Sequence, residues 1–426
     1  MYTDRVLDYK RRLDIKSLSR QTAAVLLLAG LAAVEIVVFL LLLHVGFLKT
    51  YVGDNAANVY LPAASHILTA GTYNDLDTIW YSTQAPGYSF FLAFAQQIAD
   101  QSYLSLVVCL QILLNYFVAI FLLFLGHRET STLAGWLAAA LWLLFPPAVV
   151  ISTFIAPETL FTALLVLSIA ILIRSLSQPG HAWLSFVAGL SLGLATLVRA
   201  TTLLLPVFLL ALLLFLDFRK AWPKCALFLI GMYLVVLPWA VRNRQALDEP
   251  IVVQSGFGQV FLQGSRAEYF TISGKTASYP LLFAEAAKEG LVKPTDGKLT
   301  SFDRWRLSLG LRNYRIRLAH EPMSLFPFLT HKFARLWYGA ETGTFSKQFI
   351  LGVSSLLALP AGIYQIWLWR KDRRELSVVL SLLLLYFIGI HWVALPEFRY
   401  MLPVCPFLTF AASHRYLIWL KGLRAQ

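Results

Sequence analysis

The chain alternates long apolar runs with short polar segments. A helix needs about 20 mostly apolar residues to cross the ~30 Å hydrocarbon core of a membrane, and most of these runs approach that length. The pattern predicts an all-α polytopic membrane protein with a bundle of about ten transmembrane helices. The runs lie near residues 22–48, 103–125, 132–151, 158–176, 183–198, 201–217, 223–240, 349–369, 376–395 and 401–420.

The first run follows a basic amino-terminal segment. It is longer than the apolar core of a signal peptide and no small-residue cleavage pattern follows it, so we expect an uncleaved anchor. The runs between 158 and 217 are the least clearly divided.

The polar segments between the runs separate three regions. We expect an N-terminal transmembrane module over 1–240, in which a helical first outer loop spans 49–102. A long periplasmic loop follows over 241–348, and residues 349–426 form the C-terminal transmembrane helices.

The long loop is expected to mix elements and to pack on the spans. Residues 251–263 alternate between apolar and polar and contain glycines, which predicts a strand or extended segment. Residues 281–289 and 302–320 are predicted to be helices. The segment 326–338 is amphipathic, with aromatic and basic residues, and is expected to lie at the membrane interface.

Composition and charge agree with a membrane protein. Hydrophobic residues make up 58% of the chain, charged residues only 14%, and the mean hydropathy is +0.65. Soluble proteins have about 25% charged residues, so an ordinary soluble enzyme is disfavoured and a disordered chain is excluded.

The net charge of +13 is explained by topology. With the amino terminus inside, the inner segments hold 18 of the 36 Lys and Arg residues, whereas the short outer loops hold only Lys49, Arg199 and Arg399. This asymmetry follows the positive-inside rule and places both termini on the cytoplasmic side of the cell inner membrane. A nucleic-acid partner is therefore not needed to explain the basic residues.

Asp54 stands between the first run and a predicted surface helix of the first outer loop. Tyr60, Ala63 and Ile67 lie on one face of that helix, which Gly71 is expected to end. An aspartate here is either an N-cap that accepts backbone N–H bonds or a functional carboxylate, and spacing alone favours the cap.

Glu158 lies at a second outer turn, at the start of a predicted span. An acid there is favoured by the helix dipole, so a purely structural role is open. Asp54 and Glu158 could also act together, with one as a general base or with both holding a divalent cation.

Two more outer turns carry polar residues that stand out from apolar surroundings. Arg199 is either a snorkelling arginine or a phosphate ligand, because a guanidinium matches phosphate oxygens bidentately. Glu397, Arg399 and Tyr400 form the last cluster, in which the Glu–Arg pair either fixes the turn or belongs to a site.

Motifs of the common soluble enzymes are absent from the sequence. There is no P-loop, no GxGxxG before a βαβ unit, no GxSxG and no HExxH. The eight His are scattered, and Cys109, Cys225 and Cys405 lie in apolar runs without a CxxC pair. The candidate chemistry therefore rests on the acids and arginines of the outer turns.

A series of residues along the chain follows the order of a known family. They are Asp54, Tyr60, Ala63, Gly71, Tyr73, Pro86, Gly87, Tyr88, Glu158, LATLVRATTLLLP around Arg199, LPWAVRNRQAL with Pro238, Trp239, Arg242 and Asn243, then Gly256, Gly258 and Gly264, and PEFRYMLPVCP. Together they resemble the GT-C glycosyltransferases, in particular the bacterial branch related to protein O-mannosyltransferases and to the aminoarabinose transferase of lipid A.

The resemblance is most specific over 50–205, 236–265 and 395–408. The chain departs from the pattern at Gln84, Ala85 and Pro86, where relatives often have a basic residue and two prolines. This departure argues against assuming the aminoarabinose substrate.

The resemblance implies a GT-C-like bundle and a glycosyltransferase. It would move one hexosyl or pentosyl unit from a polyprenyl-phosphate donor to a hydroxyl acceptor on the outer face, with inversion by a single displacement. The acceptor would be a cell-envelope glycan, lipid or protein. Departure of the lipid phosphate develops negative charge that arginine stabilises, and the attacking hydroxyl loses its proton to a carboxylate.

The resemblance also implies roles for individual residues. Asp54 is then the base rather than only a cap, and Glu158 supports it or shares the acceptor or a divalent cation. Arg199 and Arg399 would bind the donor phosphate. The full set of expected substrate-binding residues is Tyr60, Gln84, Tyr88, Arg199, Arg242, Asn243, Glu397, Arg399 and Tyr400.

Two other functions stay open. An O-antigen ligase or polymerase would also combine many spans with a long outer loop, but it would depend on basic and His residues in that loop. A sugar-lipid transporter or flippase would need polar residues along the bundle interior, for which Glu35 is thin support.

Overall fold

The computed structural model describes residues 52–75, 77–177, 180–208, 217–266, 279–340 and 345–424, with isolated positions between 30 and 44. Apart from those isolated positions, the expected anchor over 22–48 lies outside the described residues, and so do residues 209–216 of the run 201–217.

Every regular element in these ranges is helical, which confirms the predicted all-α fold. A π-helical turn, Ala56–Tyr60, precedes the first helix, and a single turn, Phe398–Met401, precedes the last. The helices are α1 (Leu61–Ala70), α2 (Gly87–Ala99), α3 (Tyr103–Glu129), α4 (Thr132–Leu143), α5 (Pro146–Ser152), α6 (Glu158–Ser177), α7 (Trp183–Val198), α8 (Phe218–Leu247), α9 (Phe257–Gly264), α10 (Tyr279–Lys288), α11 (Leu299–His320), α12 (Pro322–Arg335), α13 (Phe345–Trp369), α14 (Arg374–Val393) and α15 (Cys405–Arg424).

The described helices make this a multi-pass membrane protein. Five stretches are long and apolar enough to cross a membrane, and α4 with α5 forms a sixth if the pair is one span bent by 56°. The bend follows from Pro146 at the start of α5, which holds Phe145 in an extended conformation. The count of ten stays a prediction. The five stretches are Gly87–Glu129, Glu158–Ser177, Phe218–Leu247, Phe345–Trp369 and Arg374–Val393.

The predicted strand over 251–263 is wrong, because its second half forms α9. The rings of Phe257 and Phe261 are 6.0 Å apart, the contact of residues four apart on one helix face. Gly258 brings α9 against α11, since a Cβ at this position would lie 2.0 Å from the carbonyl oxygen of Asp303. Helix packing therefore outweighed the local alternation of apolar and polar residues.

Helices α6 and α7 form an antiparallel hairpin. Ser168 Oγ donates to the Ala188 carbonyl at 2.8 Å, and Ser191 Oγ donates to the Leu164 carbonyl at 2.9 Å. This register, continued along both helices, brings the start of α6 opposite the end of α7. Glu158 is the first residue of α6 and Arg199 follows the last residue of α7, so this register brings two predicted site residues together.

Helix α8 packs on α7 through glycines. A Cβ at Gly189 would lie 2.0 Å from the Phe228 carbonyl oxygen, and a Cβ at Gly231 would lie 2.2 Å from that of Phe186. Such close backbone approach stabilises helix pairs in membranes, where apolar surface alone gives little drive for association.

The first outer loop closes over the same end of the bundle. Gly71 ends α1 in the left-handed conformation (φ 71°), as predicted. The Tyr73 hydroxyl donates to the Tyr81 carbonyl at 2.9 Å and holds the loop together. At Gly87 a Cβ would lie 2.8 Å from the Leu197 carbonyl oxygen, so the start of α2 packs directly on the end of α7.

The long loop is attached to the end of α14. A Cβ at Gly264 would lie 1.7 Å from the Ala394 carbonyl oxygen, and the Phe398 amide donates to the Gly339 carbonyl at 2.9 Å. The buried Lys332 of α12 donates to the Val393 and Ala394 carbonyls at 3.0 and 3.1 Å. These contacts fix the turn that carries residues 397–400.

Candidate functional site

The predicted residues of three turns meet at one end of the bundle. Arg199, extended at the end of α7 (φ −147°, ψ 120°), donates from Nη1 to Glu158 Oε1 at 2.6 Å. The Glu158 side chain is 5% exposed and that of Arg199 is 17% exposed. Within the described residues this is the sole side-chain hydrogen bond of Arg199, so the rest of its guanidinium N–H groups are open to a ligand.

The Tyr400 ring contacts the arginines of two ion pairs, Glu158–Arg199 and Glu397–Arg399. The Cζ atoms of Arg199 and Arg399 lie 4.8 and 5.0 Å from the centre of the Tyr400 ring. Arg399 forms an ion pair with the buried Glu397 at 2.7 Å and donates from Nη2 to the Tyr400 hydroxyl at 3.2 Å. Two guanidiniums thus contact one aromatic ring, and each has a carboxylate partner.

The first outer loop adds Tyr60 and Gln84 to this group. The Tyr60 hydroxyl donates to Gln84 Oε1 at 3.1 Å, and its ring meets that of Tyr88 edge-on at 5.2 Å. Burial raises the pKa of Tyr60, while the charge of Arg199 lowers it and that of Glu158 raises it. Tyr60 therefore lies within electrostatic reach of the Glu158–Arg199 pair and stays protonated near neutral pH.

Comparisons with known proteins agree with this architecture. Residues 83–240 match the family Dolichyl-phosphate-mannose-protein mannosyltransferase. The fold is similar to the apo oligosaccharyltransferase of Archaeoglobus fulgidus, with a TM-score of 0.52, 12% identity, and coverage of 93% of this chain and 51% of that one. The chain has a GT-C-like fold.

Other solved structures are similar to this chain. The Archaeoglobus fulgidus oligosaccharyltransferase tethered with an acceptor peptide gives a TM-score of 0.50 at 14% identity, over 80% of this chain and 42% of that one. ArnT from Cupriavidus metallidurans, bound to undecaprenyl phosphate, gives 0.44 at 15% identity, over 92% and 77%. The chain spans about half the length of the oligosaccharyltransferase. No curated protein matches its sequence significantly.

Asp54 is the first helical residue of the first outer loop. The Gly53 carbonyl accepts the Ala57 amide at 2.9 Å, so Gly53 occupies the cap position and the N-cap interpretation of Asp54 is wrong. The Asp54 carboxylate is exposed and forms no hydrogen bond or ion pair within the described part of the chain. Its role as base stays a prediction.

A metal site is likewise a prediction for Asp54 and Glu158. The described residues hold no group of three or more His, Cys, Asp or Glu side chains that could bind a metal ion. The Glu158 carboxylate pairs with Arg199, and within the described ranges no hydrogen bond or ion pair joins it to Asp54.

Arg242 and Asn243 hold loops rather than join the Tyr400 group. Arg242 donates to Asn74 Oδ1 and to the Asn74 carbonyl at 2.6 and 3.0 Å. Asn243 donates to the Ile251 carbonyl at 3.0 Å. Their contacts tie the first outer loop and the start of the long loop to the end of α8.

Two neighbours of the site were not found from the sequence. Gln111 of α3 accepts from the Tyr88 hydroxyl at 2.8 Å, and the His391 ring stacks on Tyr400 with centres 4.9 Å apart. Gln111 stands inside an apolar run, and His391 stands six residues before Glu397. A polar residue within a span was the available signal for both.

Proposed function

We propose that this chain is a GT-C glycosyltransferase that moves one sugar from a polyprenyl-phosphate donor to a hydroxyl acceptor at the outer face of the cytoplasmic membrane. The observation that carries the proposal is the convergence of Arg199 and Arg399 on the Tyr400 ring at one end of the bundle. A leaving lipid phosphate needs cationic donors beside it, at the depth where its head group leaves the membrane. The matching family is named for a dolichyl-phosphate-mannose donor, which supports this class of substrate.

Arg199 is the stronger phosphate ligand of the two arginines in this proposal. Glu158 holds one edge of its guanidinium, which leaves the other N–H groups in a fixed orientation for phosphate oxygens. A pair of unit charges at 4 Å contributes about 4 kcal/mol at an effective dielectric of about 20. The neighbouring carboxylates reduce this attraction, but they also keep the unliganded site nearly neutral.

Asp54 is proposed as the general base. Its exposed carboxylate stands in the same outer loop as Tyr60, which lies near the Glu158–Arg199 pair. The acceptor hydroxyl would give its proton to Asp54 while its oxygen attacks the anomeric carbon and the lipid phosphate departs. One displacement inverts the anomeric centre, and Glu158 supports the site through Arg199.

The partners follow from this reaction. The donor enters from the bilayer, and the acceptor is a hydroxyl of a cell-envelope glycan, lipid or protein. We place the site on the outer side because the basic residues collect in the opposite segments of the sequence.

The test uses purified protein in lipid nanodiscs with a panel of undecaprenyl-phosphate hexoses and pentoses and with envelope extracts from a deletion strain as acceptor. Mass spectrometry would detect the glycosylated product, and NMR its anomeric configuration.

We expect Asp54→Asn to lower the transfer rate roughly 10²- to 10⁴-fold with donor binding unchanged. Asp77→Asn, in the same loop and also exposed, is the matched control and should transfer normally. Wild-type rates for Asp54→Asn, or a retained anomeric configuration, would contradict the proposed mechanism.

A further inference from the structure

A histidine lies against the site without a part in the proposed transfer. His391, in the last turn of α14, is only 7% exposed. Its ring is nearly parallel to that of Tyr400, at an interplanar angle of 13° and a distance of 4.9 Å. The Phe387 ring lies 5.9 Å away. The imidazole is therefore packed against aromatic rings at the end of the bundle where the arginines meet.

The Nε2 atom of His391 is buried and has no hydrogen-bond partner in the described part of the chain. A buried polar atom without a partner is destabilising, and such atoms are uncommon in folded proteins. Phenylalanine would stack on Tyr400 without burying a nitrogen. Packing alone therefore does not account for a histidine at this position.

The ring that covers His391 is the ring that both arginines contact. Tyr400 is partly exposed, and its ring contacts the imidazole and both guanidiniums, so a shift of this one side chain changes all three contacts. A neutral imidazole with its proton on Nε2 is a hydrogen-bond donor, and phosphate oxygens are strong acceptors.

We propose that His391 is a donor-binding residue whose Nε2–H donates to the isoprenoid-linked phosphate after the Tyr400 ring moves aside. The inference rests on the proposed function, because the phosphate belongs to the donor of that reaction. His391 adds a neutral hydrogen bond to the two charged ligands Arg199 and Arg399. Its buried nitrogen thereby gains in the bound state the partner that it lacks in the free protein.

The test compares three substitutions in the full chain in nanodiscs, with undecaprenyl phosphate as the probe. His391→Phe keeps the stacked ring and removes the nitrogen. His391→Gln places an amide nitrogen near the Nε2 position, whereas His391→Asn reaches only as far as Nδ1. The matched control is His414→Phe, because His414 also packs on an aromatic ring, that of Trp369 at 5.7 Å.

We expect His391→Phe and His391→Asn to bind undecaprenyl phosphate about tenfold more weakly, which corresponds to about 1.4 kcal/mol. His391→Gln should stay within about threefold of wild type, and His414→Phe should not differ from it. His391→Phe should melt no lower than wild type, since it removes an unpaired buried nitrogen. If His391 were purely structural, His391→Phe would instead lower the melting temperature and leave the affinity for undecaprenyl phosphate unchanged.

Wild-type affinity in His391→Phe would overturn the inference while the proposed function stands. So would an equal loss for undecaprenol, which has no phosphate, or competition by phosphatidylglycerol as strong as that by undecaprenyl phosphate. If His391→Phe does not fold, equal affinities of the Gln and Asn variants overturn it instead. A wild-type protein that binds undecaprenyl phosphate no better than undecaprenol would overturn the inference and the proposed function together.

Discussion

Arg199 and Arg242 each lie over an aromatic ring near the end of a helix, at 4.8 Å from Tyr400 and 5.0 Å from Trp239. Their hydrogen bonds differ. Arg242 donates to three neutral oxygens, two of Asn74 and one of its neighbour Asn243. Arg199 donates to one carboxylate oxygen of Glu158.

The difference in acceptors supports a structural role for Arg242 and the proposed role of Arg199 in phosphate binding. The N–H groups of Arg242 are directed at Asn74 of the first outer loop and at Asn243 of α8, so Arg242 ties that loop to α8. Arg199 is fixed at one edge by a nearly buried carboxylate and keeps its other N–H groups open. The sequence predicts both arginines as substrate-binding residues. Their hydrogen-bond acceptors in the structure are what distinguish the two.

The largest effect should come from breaking the buried pair. Arg199→Gln leaves the 5%-exposed Glu158 carboxylate without its cation, so we expect a loss of stability of roughly 3–5 kcal/mol. Adding Glu158→Gln should restore most of the loss because it removes the unpaired charge. Denaturation of both variants in detergent checks this. A single variant as stable as wild type would show that the pair is not buried as described.

The next largest effect concerns the transfer rate of the same double variant. Most of its stability is restored, but the cation that we propose to face the leaving phosphate is absent, so transfer should fall roughly 10²- to 10³-fold. Initial rates at saturating acceptor would measure it. Recovery of transfer together with stability would place Arg199 in the same structural class as Arg242.

Arg242→Gln should have a smaller effect, and on stability alone. It removes hydrogen bonds to Asn74, for which we expect a loss of about 2 kcal/mol and faster proteolysis of the first outer loop. Donor affinity should stay at the wild-type value. A raised KM for the donor at unchanged stability would instead indicate that Arg242 contacts the substrate.

The smallest effect extends the comparison to a third cation, Lys332, which donates to two carbonyls and to the Tyr314 hydroxyl. Burial lowers its pKa from 10.5 to about 7. The unfolded chain therefore binds more protons between pH 7 and 10.5, and the free energy of unfolding should rise with pH in this window. We expect a gain of at most about 1.4 kcal/mol from pH 7 to pH 8.

Thermal melts of wild type and Lys332→Met at both pH values provide the measurement. The methionine variant should lack this contribution to the pH dependence. An equal gain in both proteins would show that Lys332 does not titrate in this range.

Local patterns were sufficient for some elements and misleading for others. The apolar runs predicted helices, and Gly71 ends α1 as expected. The alternation over 251–263 predicted a strand where α9 forms, because contacts with α11 and with Ala394 decide that segment. The spacing favours Asp54 as the N-cap, but Gly53 occupies that position because the helix begins at Asp54 itself.

The sequence by itself determined that the chain is helical and membrane-embedded. A long apolar run in a bilayer must satisfy its backbone hydrogen bonds internally, which leaves the helix as the solution for each run separately. It also indicated the acids and arginines of the predicted outer turns as candidate site residues, because charged residues are rare next to apolar runs.

Only the tertiary structure decided which of these residues meet. Arg199 lies 41 positions from Glu158 and far from Tyr400 in the chain, and no local rule relates them. Their contact depends on the antiparallel register of α6 and α7 and on the attachment of the long loop to α14. The register and the attachment both arise from side-chain packing between segments that are distant in the sequence. The same packing directs Arg242 to Asn74 and places His391 against Tyr400.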